Sequence, residues 1–366
     1  MSRTDRPAQS SHATPGTSIT QGAHLVGSVN LPDAASVFRA VSENLGSRLR
    51  RIPDGEVGER YYWIQFQRDR LAATDGISRV PGEPRFLRGR FDARPLFLDG
   101  TVAADDLEFQ SLGYADAALE SYATFRALRS DGTIATGTRF QVSLPTPAAI
   151  IASFVVPDSR AELEPAYERA IFAELTRILD GIPHEDLAIQ WDTAAEFGLL
   201  ESARLPAGYP LVPWFDDVLD GVIERAVRQA SAVPADVQVG YHLCYGDVEE
   251  AHFVQPEDTG LLTAFATGLL RDSPRPITWL HLPVPIERDD DAYFAPLAEL
   301  DLPEDTELYL GVIHHEDGIE GAERRIRAAH RVQPEFGVAT ECGFGRGPSE
   351  RTVPLLKLHE SMTDIW

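Results

Sequence analysis

Two cysteines and a nearby histidine are the side chains of this sequence best suited to bind a metal ion. Cys244 and Cys342 are the only cysteines in 366 residues, and each follows an apolar run inside a polar, glycine-containing turn. His242 lies two positions before Cys244, and residues two apart on a strand face the same side, so imidazole and thiolate can converge. Zinc accepts both ligand types and usually takes four ligands in a tetrahedron. A histidine and a cysteine two positions apart on a strand are common in protein cores. The position of Cys342 at the end of the last apolar run favours a zinc site instead.

A fourth ligand is predicted at His281, which follows Trp279 and Leu280 at the end of another apolar run. The alternative is a neutral histidine that lines the same pocket. Glu287 belongs to an acidic loop and is better explained as a solvated side chain. Two cysteines in a chain of this length also exclude a disulfide-stabilised scaffold.

Further polar side chains follow other apolar runs, in positions suited to catalysis or to substrate binding. One histidine, His314, is predicted to act as a general acid or base; an equal alternative is that His314 and His315 are simply a strand-end pair, one of which points outward. Arg51, which follows Arg50, either contacts an anionic substrate or forms a local ion pair. The remaining candidates are Ser28, Asp54, Glu56, Ser143 and Asp192.

These residues require a scaffold that brings the ends of many strands together. Eight short β-type runs alternate with helical stretches, and several runs are apolar almost throughout, as parallel strands covered on both faces are. Regular alternation predicts right-handed βαβ units, and eight units favour a closed (β/α)8 TIM barrel, in which function collects at the carboxyl ends of the strands. An open doubly wound sheet is the alternative, which no GxGxxG turn supports. The predicted strands are His24–Ser28, Leu49–Ile52, Thr138–Leu144, Leu187–Asp192, Val237–Tyr245, Ile277–Val284, Glu307–His314 and Gly337–Cys342.

The helices between the strands show apolar residues at spacings of three and four. Asp33 is predicted to cap the first, which ends near Gly46. The others are predicted near 162–179, 215–227, 249–270, 319–329 and 350–358. Residues 75–130 interrupt the alternation and are predicted to be an insertion after strand two, either a lid or a peripheral decoration. Residues 1–22 are predicted to form a disordered tail, and residues 23–366 a single zinc-binding barrel domain.

The composition excludes several classes of partner. A formal net charge of −24 argues against nucleic acid and against anionic membranes, because both require clustered lysine and arginine. No apolar run is long enough to cross a bilayer, and no apolar signal core is present, so a cytoplasmic location is expected by default. The expected partner is a small molecule, such as a thiol or an amino acid; the oligomeric state cannot be read from the sequence.

Five short segments carry a more specific signal. In chain order they are Val26-Gly27-Ser28, Asp54-Gly55-Glu56 followed by Glu59 and Arg60, Ile189-Gln190-Trp191-Asp192, Tyr241-His242-Leu243-Cys244-Tyr245 and Glu341-Cys342-Gly343.

In this order they resemble the I-G-S, H-G-E-x-x-R, I-Q-I-D, H-x-C-Y and D-C-G motifs of the catalytic barrel of cobalamin-independent methionine synthase, within the uroporphyrinogen decarboxylase/methionine synthase-like superfamily. The resemblance covers roughly residues 23–360. It implies that His242, Cys244 and Cys342 bind zinc, which activates a substrate thiol as a thiolate for alkyl transfer. It also implies that Ser28, Glu56 and Asp192 hold the amino-acid part of a thiol such as homocysteine.

The chain departs from this pattern in ways that affect the predicted reaction. His281 stands where the family has its glutamate ligand, and Thr193-Ala194 replaces the usual Glu-Pro. The histidine motif after strand seven is shifted in register at His314, and the second barrel that helps to bind polyglutamyl folate is missing. The sequence therefore predicts a zinc-dependent methyl- or alkyltransferase that does not use folate. A zinc-dependent lyase or hydrolase with His314 moving protons, and a non-catalytic protein stapled by zinc, are the alternatives.

Overall fold

The computed structural model describes residues 20–204, 211–246 and 252–365, and strands alternate with helices over most of these ranges. The strands are β1 (Thr20–Gln21), β2 (Arg51–Pro53), β3 (Ile77–Arg79), β4 (Phe86–Leu87), β5 (Phe91–Asp92), β6 (Leu96–Leu98), β7 (Arg139–Pro145), β8 (Leu187–Thr193), β9 (Gln238–Leu243), β10 (Trp279–Pro283), β11 (Glu307–Ile313), β12 (Gly337–Thr340) and β13 (Thr363–Asp364). The helices are α1 (Ala34–Asn44), α2 (Gln67–Ala72), α3 (Tyr114–Ser130), α4 (Pro147–Phe154), α5 (Pro157–Gly181), α6 (Ala195–Leu200), α7 (Val218–Ser231), α8 (Gly260–Asp272), α9 (Asp291–Phe294), α10 (Gly318–Ala329) and α11 (Thr352–Met362).

A curled seven-stranded sheet forms the centre of this α/β fold. Its strand order is β12-β11-β10-β9-β8-β7-β2, and every pairing within it is parallel. The strands are buried along almost their whole length, because helices cover one side and inward side chains fill the other. Seven of the eight predicted strands therefore form one sheet, and the architecture is consistent with a TIM-like barrel.

The first predicted strand, His24–Ser28, forms only isolated bridges. Ala23 bridges in parallel to Leu49, just before β2, and to Val338 of β12. The Ala23 amide donates to the Arg48 carbonyl oxygen (2.8 Å), and the His24 amide donates to the Val338 carbonyl oxygen (2.9 Å). This segment therefore lies between the two edges of the seven-stranded sheet.

The predicted helix ends agree with the structure at α1 and, within one residue, at α10, and differ at the other helices. The Asp33 side chain accepts a hydrogen bond from the Ser36 amide (2.7 Å), and Gly46 follows the helix with a φ of +36°, a conformation that favours glycine. Helix α5 begins earlier than predicted, at Pro157, where the fixed φ of proline suits a first helical turn. Helix α8 begins only at Gly260, and the start of its predicted range falls partly on residues 247–251, outside the described residues.

The region predicted to be an insertion contains two small antiparallel pairs, β3 with β6 and β4 with β5, followed by α3. Helix α3 packs against α1 and α5 and so joins the helical layer around the sheet. Residues Thr20–Gln21, inside the predicted tail, pair with β13, whereas residues 1–19 lie outside the described residues. No helix in the described part of the chain combines the length and the apolar character needed to span a bilayer.

Arg51 lies at the amino-terminal end of the sheet, away from the carboxyl ends of the strands. Its guanidinium carbon is 4.2 Å from the centre of the Trp279 ring, and the side chain forms an ion pair with Glu307 and a hydrogen bond to Gln238 (3.0 Å). Glu307 and Gln238 begin β11 and β9. The prediction that Arg51 contacts substrate does not fit this position, and the alternative of local ion pairing does.

Replacing Arg51 by methionine should therefore destabilise the fold without affecting the carboxyl ends of the strands. We expect Arg51→Met to lower the free energy of unfolding by about 3–5 kcal/mol, because it breaks a buried ion pair. The matched control is Arg50→Met: Arg50 also pairs with Glu307, but its side chain is 47% exposed, against 1% for Arg51. Arg50→Met should lower the free energy of unfolding by about 1 kcal/mol or less. Equal losses for the two variants in urea denaturation would contradict a buried role for Arg51.

Candidate metal centre and active site

His242, Cys244 and Cys342 converge at the carboxyl ends of the strands. Their ligand atoms all lie within 4.8 Å of one another, with 3.9 Å between the two sulfurs and 3.6 Å from Cys342 Sγ to His242 Nε2. A tetrahedral zinc ion, with Zn–S bonds of about 2.3 Å and Zn–N bonds of about 2.0 Å, places two sulfurs about 3.8 Å apart and a nitrogen and a sulfur about 3.5 Å apart. The donor set and these two distances therefore fit one zinc ion.

A hydrogen-bonded chain fixes the proton positions on His242. His281 Nε2 lies 3.0 Å from the Thr340 carbonyl oxygen, which can only accept, so this nitrogen donates. His281 Nδ1 lies 2.7 Å from His242 Nδ1 and, in a neutral ring, must accept from it. His242 consequently carries its proton on Nδ1, and the lone pair of its Nε2 lies on the side of Cys342.

Burial keeps both rings neutral. Burial, followed by the influence of His281, holds the pKa of His242 well below its usual range. Burial also lowers the pKa of His281 to about 3, against the raising effect of its hydrogen bond to Thr340. A neutral imidazole with a free lone pair is the form that binds metal.

His281 lies behind His242 rather than among the metal-binding atoms. Both of its ring nitrogens have hydrogen-bond partners, and it is absent from the group of three that the described residues form. The predicted set of two histidines and two cysteines does not agree with this geometry. The alternative considered for His281, a neutral pocket histidine, does agree with it.

Glu56 and Asp192 form a buried carboxylate pair in the same cavity as the metal-binding group. This cavity has a volume of about 290 Å³, and its lining includes Ser28, Glu56, Asp192, His242, Cys244 and Cys342. Burial raises the pKa of Glu56 to about 7, opposed by Arg60 and Arg346 and reinforced by Asp54. Burial and then Glu56 raise the pKa of Asp192 well above its usual range. Glu56 thus disfavours ionisation of Asp192, and a cation between the two carboxyl groups would relieve that repulsion.

Asp54 supports the loop that carries Glu56. Its carboxylate accepts two hydrogen bonds from Arg60 (3.1 and 2.6 Å) and one from the Glu56 amide (3.0 Å). Although burial opposes it, Arg60 lowers the pKa of Asp54, which therefore stays ionised. Asp54 is a loop support and does not line the cavity.

Backbone strain is concentrated in the segment that lines this cavity. Glu56 has a φ of +52° and Trp63 a φ of +50°, values that residues other than glycine rarely adopt. The Trp63 side chain lowers the pKa of Asp192, and Tyr62 and Trp63 both line the cavity. Strained residues persist where the surrounding structure holds them, frequently at functional sites.

Ser28 is held against the turn that carries Cys342. Its hydroxyl accepts a hydrogen bond from the Gly345 amide (3.3 Å). A Cβ atom on Gly343 would lie 2.3 Å from Ser28 Oγ and 2.9 Å from Ser28 N, distances that no side chain can occupy. Glycine at position 343 is therefore required for the close approach of these two segments.

His314 lines a second cavity, of about 530 Å³, together with His252, Glu287 and Glu341. Its Nε2 donates to the Val284 carbonyl oxygen (2.8 Å), and burial lowers its pKa. Gly246, Cys342 and Gly343 line both cavities, whereas His314 lines only the second and Glu56 and Asp192 only the first. The proton-transfer role of His314 stays a prediction.

Sequence reasoning missed Trp63, Arg68 and Arg346, which also line the first cavity. The charge of Arg346 lowers the pKa of Glu56, of Asp192 and of His242. Arg346 lies four positions after Cys342 in the sequence, and this closeness to a predicted ligand was the one signal that could have indicated it. Trp63 and Arg68 belong to the segment after Glu56, where no periodic pattern indicates which side chains face inward.

Comparisons with known proteins identify the fold. No protein-family profile matches the chain, and no curated protein matches its sequence. A solved structure of a candidate vitamin-B12 independent methionine synthase from Listeria monocytogenes aligns with a TM-score of 0.56 at 15% identity, over 96% of this chain and 99% of that one.

Two further solved structures align over similar shares of the chain. A B12-independent methionine synthase from Shewanella sp. W3-18-1, in complex with selenomethionine, gives a TM-score of 0.58 at 15% identity, over 93% of this chain and 95% of that one. A methyltransferase from Methanosarcina mazei gives 0.51 at 12% identity, over 95% of both chains. The resemblance read from the sequence motifs is thus confirmed at the level of the fold: this chain has the fold of the cobalamin-independent methionine synthases.

Proposed function

We propose that the chain is a zinc-dependent transferase that activates a substrate thiol for alkylation, with methyl transfer as the reaction. One observation carries the proposal: a single cavity holds both the histidine–cysteine group and the buried carboxylate pair. A zinc site alone is compatible with many reactions. A carboxylate pair beside it selects a substrate that carries both a thiol and an ammonium group.

His242, Cys244 and Cys342 would hold the zinc ion. When bound there, zinc would lower the pKa of a substrate thiol and supply a thiolate nucleophile at neutral pH. Within the described residues the group has three members, so the fourth tetrahedral position is available to the substrate. Structural zinc sites instead have four protein ligands, which argues against the alternative of a purely structural staple.

The other cavity residues would bind the amino-acid part of the thiol. Glu56 and Asp192 would accept hydrogen bonds from an ammonium group placed between them, which favours their ionised forms. Arg346 and the hydroxyl of Ser28 are suited to a substrate carboxylate. We further infer that the segment His24–Ser28 occupies the eighth strand position and closes a (β/α)8 barrel around the site, an inference supported by its bridges to both sheet edges.

Zinc-edge X-ray absorption tests the central claim. Purified, reduced protein should contain about one zinc ion per chain, and homocysteine should add a sulfur to the coordination shell. Methionine, which has the same amino-acid part but no thiol, is the matched control and should leave the spectrum unchanged. A shell that stays the same with every thiol tested would contradict thiol activation.

His281 should affect zinc affinity although it is not a ligand. Replacing it by glutamine removes the ring nitrogen that fixes the proton of His242, and we expect zinc to bind about 10- to 100-fold more weakly, as for other residues that orient metal ligands. Competition with a chromophoric chelator measures this affinity.

The matched control for this experiment is His359→Gln, a buried histidine that hydrogen-bonds to the Leu355 carbonyl oxygen (2.8 Å) in α11. It should leave zinc affinity unchanged. If His281→Gln removed zinc as completely as Cys244→Ser does, the assignment of His281 as a ligand would have to be restored.

Glu56 should confer the preference for an amino group. Wild-type protein should bind homocysteine more tightly than 4-sulfanylbutanoate, which lacks the amine, and Glu56→Gln should reduce this preference about tenfold or more. An ammonium group requires ionised carboxylates, so homocysteine affinity should rise with pH as Glu56 loses its proton near pH 7.

Glu196→Gln is the control for this comparison. Burial also raises the pKa of Glu196 to about 7, but this residue does not line the cavity. Calorimetry with both thiols on the three proteins measures the preference. An unchanged preference in Glu56→Gln, or an equal loss in Glu196→Gln, would refute the assigned role.

A further inference from the structure

Arg68 is a buried arginine whose guanidinium group lacks the partners that such groups normally have. The residue is only 7% exposed and lines the cavity of the candidate active site. Its Nε donates to Gln65 Oε1 (2.9 Å), but neither terminal nitrogen has a hydrogen-bond partner among the described residues. Those two nitrogens are the donors that a guanidinium group offers to a carboxylate or phosphate.

The other buried arginines differ from it. In the described residues, Arg51, Arg160 and Arg325 are as deeply buried as Arg68. Arg160 donates from all three nitrogens to backbone carbonyl oxygens, and the fork of Arg325 binds both oxygens of Asp317. Arg51 pairs with Glu307. Arg68 alone of these four leaves its two terminal nitrogens for something that the fold does not supply.

The orientation of Arg68 is nevertheless fixed. Its guanidinium carbon lies 4.1 Å from the centre of the Phe154 ring, and its carbonyl oxygen accepts a hydrogen bond from Arg79 (3.2 Å). With Gln65 on Nε, the guanidinium group is held by two contacts before any ligand binds, and the bond from Arg79 anchors the backbone that carries it. A group held in place in this way loses little conformational entropy on binding.

The nearest acidic residues pair with other arginines. Asp92 binds Arg94 (2.6 Å), and Asp69 binds Arg79 (2.6 Å). Arg79 adds a second positive charge to the surroundings of Arg68; burial and then Arg79 lower the pKa of Arg68 to about 10. The group is therefore still cationic at neutral pH, in a place where an anion would relieve both burial and like-charge repulsion.

Apolar side chains form part of the cavity wall beside Arg68, next to Gln65 and Arg88. Tyr62, Ile64, Leu87 and Phe154 line it, and Leu87 comes from the β4–β5 hairpin of the inserted region. A ligand that reaches Arg68 thus places an apolar or aromatic body against these side chains. Its anionic group would meet the terminal nitrogens of the guanidinium group.

We infer that Arg68 is the recognition point for a second substrate, a small organic acid that carries a carboxylate or phosphate on an apolar body. That this ligand is the alkyl donor rests on the proposed function. The anion site itself rests only on Arg68 and its cavity.

Binding of simple aromatic anions tests the inference. Benzoate and phenyl phosphate represent the two anion classes, and benzamide is a neutral analogue of benzoate. Wild-type protein should bind at least one anion about tenfold or more tightly than benzamide, and Arg68→Gln should abolish that difference. Arg68→Lys keeps the charge without the planar fork, so it should fold and retain an intermediate affinity.

The matched control is Arg90→Gln, an exposed arginine that follows the same hairpin turn but lies outside this cavity. It should bind anions as wild type does. Failure of both anions to bind, equal affinity for benzoate and benzamide, or full anion affinity in Arg68→Gln and Arg68→Lys would overturn the inference.

Calorimetry on zinc-loaded and zinc-stripped protein separates the two proposals. Anion binding that persists when no thiol ever joins the zinc shell would refute the proposed transferase and leave the Arg68 site standing. Thiol binding to zinc together with no anion binding would do the reverse.

Discussion

The curl of one parallel sheet places every functional side chain of the site. Cys244 follows β9 and Cys342 follows β12, three strands away in the sheet order. Neighbouring strands lie about 4.8 Å apart, so a flat sheet would separate these strands by about 14 Å. The two sulfurs are 3.9 Å apart because the sheet bends and their side chains point into its concave side. Without this curvature His242, Cys244 and Cys342 would not meet, and they would not share a cavity with Glu56 and Asp192.

Burial shifts the pKa values of the histidines and of the carboxylates in opposite directions, and in both cases it favours the neutral form. It lowers the pKa values of His242 and His281 and raises those of Glu56 and Asp192, because in each case it disfavours the charged form. The carboxylates are thereby partly neutralised, whereas a buried guanidinium group keeps its charge. A protein with a net charge of −24 can thus hold a positive charge at Arg68 in the cavity that also contains Glu56 and Asp192.

The sequence predicted most of the sheet and the three residues that form the candidate metal site, for reasons that are local. Strand periodicity puts His242 and Cys244 on one face, and parallel strands bring Cys342 to the same end. His281 could not be resolved in this way, because two inward-facing histidines on paired strands differ only in which one meets the Thr340 carbonyl oxygen. Arg51 was misplaced because it begins a short strand, and Arg68 was missed because its segment has no regular period.

The contact between Gly343 and Ser28 has a mechanical consequence. Because residue 343 has no side chain, the turn after β12 packs directly against Ser28, in the segment between the two sheet edges. The Gly345 amide also donates a hydrogen bond to the Ser28 hydroxyl. A side chain at position 343 would have to displace Ser28 or the turn that carries Cys342. This point of the cavity wall is therefore as thin as a polypeptide allows, and it tolerates no larger residue.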